Sequence, residues 1–348
     1  MALFENFLKN KNIQFLRGAR LSRVSYFKAG GIVDFYVEPK GSKELVSIIE
    51  FCSMQGINFK IIGLSSNILF FDEDVYECVI STKLMNQISI EGQIITAEAG
   101  VTLSDLTRYA LMHGLSGIEG LEGIPGTVGG AVLMNAGAYG YNISTTLETV
   151  NYYSDDICVI GRDECGFTYR ESRFKNNPKE IILEAQFRFE QGVSKQIKEK
   201  MDRFHSARHS YQEFSYPNLG SMFSINRDIY REVFKKSIAY TAACIVLKVI
   251  FKNRFSKLLT RKNPSNGLFN RLFFHYARHV IKAKFGNRPL AVSNKSLNIL
   301  INNGEYNKED FLNHIGILRE FIDEKFLIEN ELFHGGNTSQ NFEKGTDL

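Results

Sequence analysis

Short apolar runs broken by turn-forming residues organise the first part of the chain. "VDFYVEP" (Val33–Pro39) reads as a strand. Ser42 is placed to cap a helix over Lys43–Gln55 that Gly56 ends, and "FKIIG" (Phe59–Gly63) returns as a second strand, a βαβ unit of about the expected 30 residues. A second unit follows, with "QIITAEAG" as a strand and "LSDLTRYALMHG" as a helix that stops at Gly114. Far downstream, a long amphipathic helix over Lys308–Phe326 precedes "LIENELF", whose reading as a strand places Glu329 and Glu331 on one face.

Between these parts lies "GIEGLEGIPGTVGGAVLMNAGAYG", Gly117–Gly140, with eight glycines in 24 residues and almost no charge. Each glycine costs roughly 0.5–1 kcal/mol in a regular element relative to alanine, so such a cluster belongs where backbone turns sharply or approaches something closely. Pro125 fixes one φ angle among flexible neighbours. Gly129-Gly130 then lets the chain enter a short apolar helix with free N–H groups at its start, which suits a pyrophosphate. "GLSSN" (Gly63–Asn67), directly after the second strand, is either a tight turn whose N–H groups point at an anion or an ordinary strand-to-strand turn. Neither stretch is a strand–GxGxxG–helix fingerprint, and no GK[ST] follows to make a P-loop.

Composition narrows the class. The 348 residues are 44% apolar and 23% charged, enough to bury a sizeable core in two or three domains. No apolar run reaches the roughly 18 residues of a membrane span, and "MALFENFLKNKNIQF" carries an acidic residue and no small-residue cleavage site, which predicts a cytoplasmic protein. Cys52, Cys78, Cys158, Cys165 and Cys244 are widely spaced without a metal-binding pattern, so they read as reduced structural cysteines and no metal is expected.

The net charge of +4 hides an asymmetry. Arg227–Arg288 holds 15 Lys/Arg and two acids, a local charge of +13 against −9 for the remainder. Apolar residues recur there at helical spacing among the cations, which suits a helix on an anionic membrane surface, a partner-binding helix, or a core helix with a solvated basic rim. No nucleic-acid module accompanies the charge, so nucleic acid is not expected. The polar "NTSQNFEKGTDL" reads as a disordered tail.

Four segments together, "YFKAGG" (Tyr26–Gly31), "GLSSNILF" (Gly63–Phe70), the glycine stretch and "FTYRESRFK" (Phe167–Lys175), resemble the UDP-N-acetylenolpyruvoylglucosamine reductase (MurB) family in order and spacing. The resemblance covers residues 20–225 and resumes near Ala291. It implies an α+β fold: a two-part FAD-binding domain of the vanillyl-alcohol oxidase/PCMH type, followed by an α+β substrate-binding domain. The parts expected are residues 1–75 and 76–205 for FAD, 206–336 for the substrate, and a tail at 337–348. It further implies an oxidoreductase in peptidoglycan-precursor synthesis, with FAD and NADPH as cofactors and a UDP-sugar enolpyruvyl ether as substrate. The two flavin jaws would be Gly63, Leu64, Ser65, Ser66 and Asn67 on one side, and Gly123, Ile124, Pro125, Gly126, Gly129, Gly130, Asn135, Gly137 and Ala138 on the other.

Three catalytic residues are carried over by motif. Arg170 in "TYRES" is the cation for the pyruvyl carboxylate, since a guanidinium offers two parallel hydrogen bonds and keeps its proton. Tyr169 beside it would point to the opposite face of an extended segment and pack. Ser221 in "YPNLGSMF" resembles the proton donor, and Glu331 the acid that shares charge with the carboxylate. To stay protonated Glu331 would require partial burial or a neighbouring anion.

The chain also departs from the family pattern. Ser65 stands where glycine is usual, which is tolerable only if that position does not need φ > 0. After Ser221 the family continues Phe-Lys-Asn-Pro, whereas this chain has "FSIN", so a substrate-holding lysine is missing. "SNKSLNILINN" (Ser293–Asn303) keeps only part of a family block, and the basic segment replaces another. Two alternatives therefore stand beside the first reading: a relative acting on another nucleotide sugar for a surface polysaccharide, and a flavin-binding protein without catalysis.

Overall fold

The computed structural model describes residues 1–224, 278–279, 291–321 and 328–334. The expectations for the basic segment at 227–288, apart from Arg278 and His279, and for the tail at 337–348 lie outside the described residues.

Two sheets carry the first two-thirds of the chain. In the first, the strands run in the order Gln14–Arg20, Ile32–Glu38, Val75–Ser81, Phe59–Ile62. The last three are parallel, and Gln14–Arg20 pairs antiparallel at the edge. The expected βαβ unit is present, with Val75–Ser81 inserted between its two strands. Its helix spans Ser42–Gln55 with Gly41 rather than Ser42 at the N-cap, and the Glu44 carboxylate accepts from Lys40 N at 2.8 Å. Leu45, Ile48, Ile49 and Cys52 bury one face of that helix against Phe35, Val37, Cys78 and Ile80 of the sheet.

The second sheet is antiparallel, in the order Ile157–Gly161, Leu147–Tyr153, Ile181–Arg188, Ile94–Glu98, Ile88–Glu91. The helices Leu103–Met112 and Val128–Leu133 cover it with Leu103, Leu106, Val128 and Val132, all fully buried. Mixed parallel and antiparallel sheets with helices packed on them fit the expected α+β class.

The remaining described elements form a smaller body against the first sheet. Asn218–Ser221 pairs antiparallel with Ile299–Ile301, and a helix spans Lys308–Phe321, the expected continuation to Phe326 falling outside the described residues. Leu219, Met222, Phe223, Leu300, Phe311 and Leu318 share one core with Phe27, Leu69 and Phe71 of the N-terminal half. Fully burying a Leu or Phe side chain contributes about 1.5–3 kcal/mol, so this shared core fixes the two parts to each other. The last strand, Glu331–Phe333, runs parallel to Ile68–Phe70, which continues the Gly63–Asn67 turn. That pairing brings the end of the described chain beside the first jaw. Cys52, Cys78, Cys158 and Cys165 are free thiols. Among the described residues no helix is long and apolar enough to cross a membrane.

Candidate active site

A cavity of about 2390 Å³ opens between the two sheets and the smaller body. A single small-molecule site usually occupies roughly 300–1,000 Å³, so this one has room for more than one large ligand. Its walls include Gly63, Leu64, Ser65, Ser66, Asn67, Ile124, Pro125, Gly126, Gly129, Gly130, Gly137 and Ala138, together with Arg170, Ser221 and Glu331. Gly123 and Asn135 do not line the cavity. The Asn135 side chain donates to Thr168 O at 2.8 Å and so ties the glycine stretch to the Arg170 segment.

The two jaws touch. Ser66 Oγ donates to Pro125 O, and a Cβ at Gly63 would collide with the Thr127 side chain, so only glycine permits the approach. In the first jaw the N–H groups of Leu64, Ser65, Ser66 and Asn67 have no acceptor among the described residues, and Gly126 and Thr127 contribute two more such groups from the second. Ser65 has φ +53°. A left-handed residue within a run of successive amides is the geometry of an anion-binding nest. The condition under which serine would replace glycine without strain is therefore not met, and the compensation is visible. Ser65 Oγ accepts from Tyr26 N at 2.9 Å and donates to Leu64 O at 2.7 Å, and the side chain is buried.

The helix start in the second jaw differs from the sequence expectation. Val128 N donates to Val101 O at 2.8 Å, Gly129 N to Ala99 O at 2.9 Å, and Gly130 N to the capping Thr127 hydroxyl at 3.4 Å. These amides are not free. Neighbouring backbone and the N-cap consume them, so anion-binding capacity lies in the turn amides instead. Unfilled donors in both jaws and a glycine-lined approach fit the diphosphate of a dinucleotide such as FAD.

Arg170 has φ +57°, so its segment is not extended and Tyr169 does not point away. Both residues reach Glu329: Arg170 Nε at 3.1 Å from Oε2, and the Tyr169 hydroxyl donating to Oε1 at 3.1 Å. Burial and the Glu329 carboxylate together raise the Tyr169 phenol above its usual range. Arg170 also donates to Gly137 O at 2.9 Å and Asn135 O at 3.4 Å. Three of its five N–H donors are thus used to hold it against the glycine stretch, and two remain for a ligand.

Glu331 is partly buried, as expected, but its neighbour is a cation: Lys60 Nζ donates to Glu331 Oε1. An adjacent anion, the alternative way of keeping it protonated, is not found among the described residues. Asn67 fixes the segment that carries both glutamates. Its side-chain amide donates to Glu329 O at 2.8 Å, its backbone carbonyl accepts from Glu331 N at 2.8 Å, and its Oδ1 accepts from Asn330 at 2.8 Å.

Ser221 closes the short strand Asn218–Ser221, where Gly220 at φ +70° turns the chain and leaves the serine facing the cavity. The partial "SNKSLNILINN" block buttresses that turn. Asn298 accepts from Phe223 N at 2.8 Å and donates to Phe223 O at 2.9 Å, while the Ser293 hydroxyl donates to the buried Glu213 carboxylate at 2.8 Å. Glu213 also accepts from Ser215 N at 2.7 Å, and its carbonyl accepts from the Asn218 side chain at 2.9 Å.

Lys60, Glu329 and Arg208, which also lines the cavity, were not singled out as cavity groups by sequence. Glu329 carried a signal, since the strand alternation puts it on the face of Glu331. Lys60 and Arg208 carried none.

Known proteins agree with this picture. The FAD binding domain family matches residues 33–154. A UDP-N-acetylenolpyruvoylglucosamine reductase of Caldicellulosiruptor saccharolyticus is 38% identical over 224 residues, 63% of this chain and 72% of that one. The enzyme of the same name from Carboxydothermus hydrogenoformans is 39% identical, covering 64% and 74%. The crystal structure of the Thermus caldophilus enzyme superposes with a TM-score of 0.64 at 22% identity, over 92% of this chain and 98% of that one, which shows a shared fold. The chain belongs to the UDP-N-acetylenolpyruvoylglucosamine reductase family and is an FAD-dependent oxidoreductase.

Proposed function

We propose that the protein reduces the enolpyruvyl ether of a UDP-sugar, UDP-N-acetylenolpyruvoylglucosamine in the first instance, with NADPH as the reductant, in peptidoglycan-precursor synthesis. Residues 1–75 and 76–205 serve FAD and residues 206–336 the substrate. The observation that carries this reading is that one cavity is walled by both glycine-rich jaws and by Arg170, Ser221 and Glu331 together.

FAD, when bound, supplies the hydride carrier between reductant and substrate. The chain's own residues do the rest. Amides of Leu64–Asn67 and Gly126–Thr127 hold its diphosphate. Arg170, kept in place by Glu329 and Gly137, pairs with the pyruvyl carboxylate and stabilises the negative charge that spreads into it when hydride reaches the methylene carbon. Ser221 donates the proton to the adjacent carbon. Serine is a weak acid, but the carbanion it quenches is strongly basic, and one transfer inside a dry site needs only brief stabilisation of the alkoxide. Glu331 shares the cavity wall and is held in direction by its ion pair with Lys60.

The test is Ser221→Ala. Flavin reduction by NADPH should stay near wild type while reoxidation by the enolpyruvyl substrate slows by several orders of magnitude, because only the second half-reaction consumes that proton. Equal slowing of both halves would remove Ser221 from the chemistry.

A further inference from the structure

His205 and His209 stand one turn apart on the helix Ser194–Tyr211, both exposed, and neither lines the cavity. Their Nε2 atoms are 2.9 Å apart. Residues four apart on a helix share a face, and histidines at that spacing can present two imidazole nitrogens to one metal ion. The rings are tilted 49° to each other with centroids 4.5 Å apart, so the nitrogens converge while the rings do not stack. Phe214 stacks on His209 at 4.1 Å and 15°, which fixes the orientation of that ring. Without a metal, one Nε2 donates its proton to the other. A metal ion takes the place of that proton once the donor ring carries it on Nδ1 instead.

The spacing also selects a geometry. At a metal–nitrogen distance of about 2.0–2.1 Å, nitrogens 2.9 Å apart subtend close to a right angle at the ion. A tetrahedral ion would require them about 3.3–3.4 Å apart. The pair as it stands suits adjacent positions of a square-planar or tetragonal centre, the preference of Cu(II) and Ni(II).

We propose that His205 and His209 form a two-histidine site for a divalent transition metal ion, Cu(II) ahead of Ni(II). Among the described residues no third histidine, cysteine or carboxylate joins them, so the other coordination positions belong to water. Lys295, which donates to the His209 carbonyl at 3.4 Å, opposes further positive charge and moderates the affinity. An ion held there clamps the C-terminal end of the helix, and the Phe214 stack carries the constraint into the segment leading to Ser221.

Wild-type, His205→Gln and His209→Gln holoenzymes would be titrated with Cu(II) against glycine as competitor, with EPR spectra at one equivalent. Wild type should take up one ion with a tetragonal spectrum split by two imidazole nitrogens. Each substitution should weaken that uptake about tenfold or more, because the first ligand gives the second its effective concentration. Ni(II) should raise the Tm of wild type and leave that of either variant unmoved, since the ion stabilises by binding the folded pair. Without metal, His205→Gln should melt near wild type, as an exposed substitution does. If His209→Gln fails to fold for want of its stack on Phe214, His205→Gln decides alone. Copper bound as tightly by His205→Gln as by wild type overturns the site, as does a wild-type spectrum with fewer than two imidazole nitrogens or a Ni(II)-dependent rise in Tm that survives the substitution.

Discussion

Lys60 and Glu331, 271 positions apart in the chain, form an ion pair in the cavity wall. Lys60 belongs to the strand Phe59–Ile62 that leads into the first flavin jaw, and Glu331 opens the last described strand. One ion pair therefore couples the jaw to the candidate catalytic glutamate. Replacing Lys60 with glutamine should slow reoxidation by the enolpyruvyl substrate about ten- to hundredfold and leave flavin reduction by NADPH within about twofold of wild type. Stopped-flow traces of the two half-reactions check this. Equal slowing of both would assign Lys60 to folding alone.

Ser65 combines a left-handed backbone with two anchoring hydrogen bonds. Ser65→Ala keeps the strain, of order 1–3 kcal/mol for a non-glycine residue in this region, and loses the anchors. Its FAD dissociation constant should rise by about tenfold, whereas Ser65→Gly, which removes strain and anchors together, should change it less. Fluorescence titration of the apoproteins decides. Alanine binding FAD as tightly as serine would show that the Oγ bonds do not shape the nest.

What the sequence disclosed was local. The Gly63–Asn67 turn, the glycine stretch and the helix stop at Gly56 depend on neighbours a few residues away, whereas Glu329 shares the cavity wall with Glu331 although the strand begins only at Glu331. What it withheld was tertiary. The amides of Val128 and Gly129 look free in sequence because Val101 O and Ala99 O, which take them, arrive from a separate segment. Lys60 is one lysine in an apolar strand until the pairing of Glu331–Phe333 with Ile68–Phe70 sets it beside Glu331. Arg208 sits in "FHSARHSY", a stretch no different from a solvated helix face, and only packing against Gly120 and Tyr139 buries it. Tyr169 was misdirected by one assumption, an extended backbone, that the φ of Arg170 breaks.

Glu213 makes the turn before Ser221 pH-sensitive. Burial raises its carboxyl, but the hydrogen bonds from Ser215, Ser293 and Phe214 prevail and hold it below the ordinary 4.5. A carboxyl lowered in the folded state contributes stability that is present above its unfolded value and lost as pH falls through the folded one. Glu213→Gln should therefore cost about 1.5–3 kcal/mol at neutral pH, the value of hydrogen bonds to a charged group. The gap in Tm from wild type should narrow as pH drops below 4.5. A gap that stays constant across that window would mean the charge itself stabilises nothing.

The most direct test of the proposed chemistry is an anaerobic double-mixing experiment on the FAD-loaded protein. NADPH should bleach the flavin absorbance in the first mix, and UDP-N-acetylenolpyruvoylglucosamine in the second should restore it with one equivalent of reduced sugar nucleotide formed per flavin. A flavin that NADPH reduces, but that no UDP-sugar enolpyruvyl ether in a panel reoxidises, would contradict the assignment of Arg170, Ser221 and Glu331 to one reductase site.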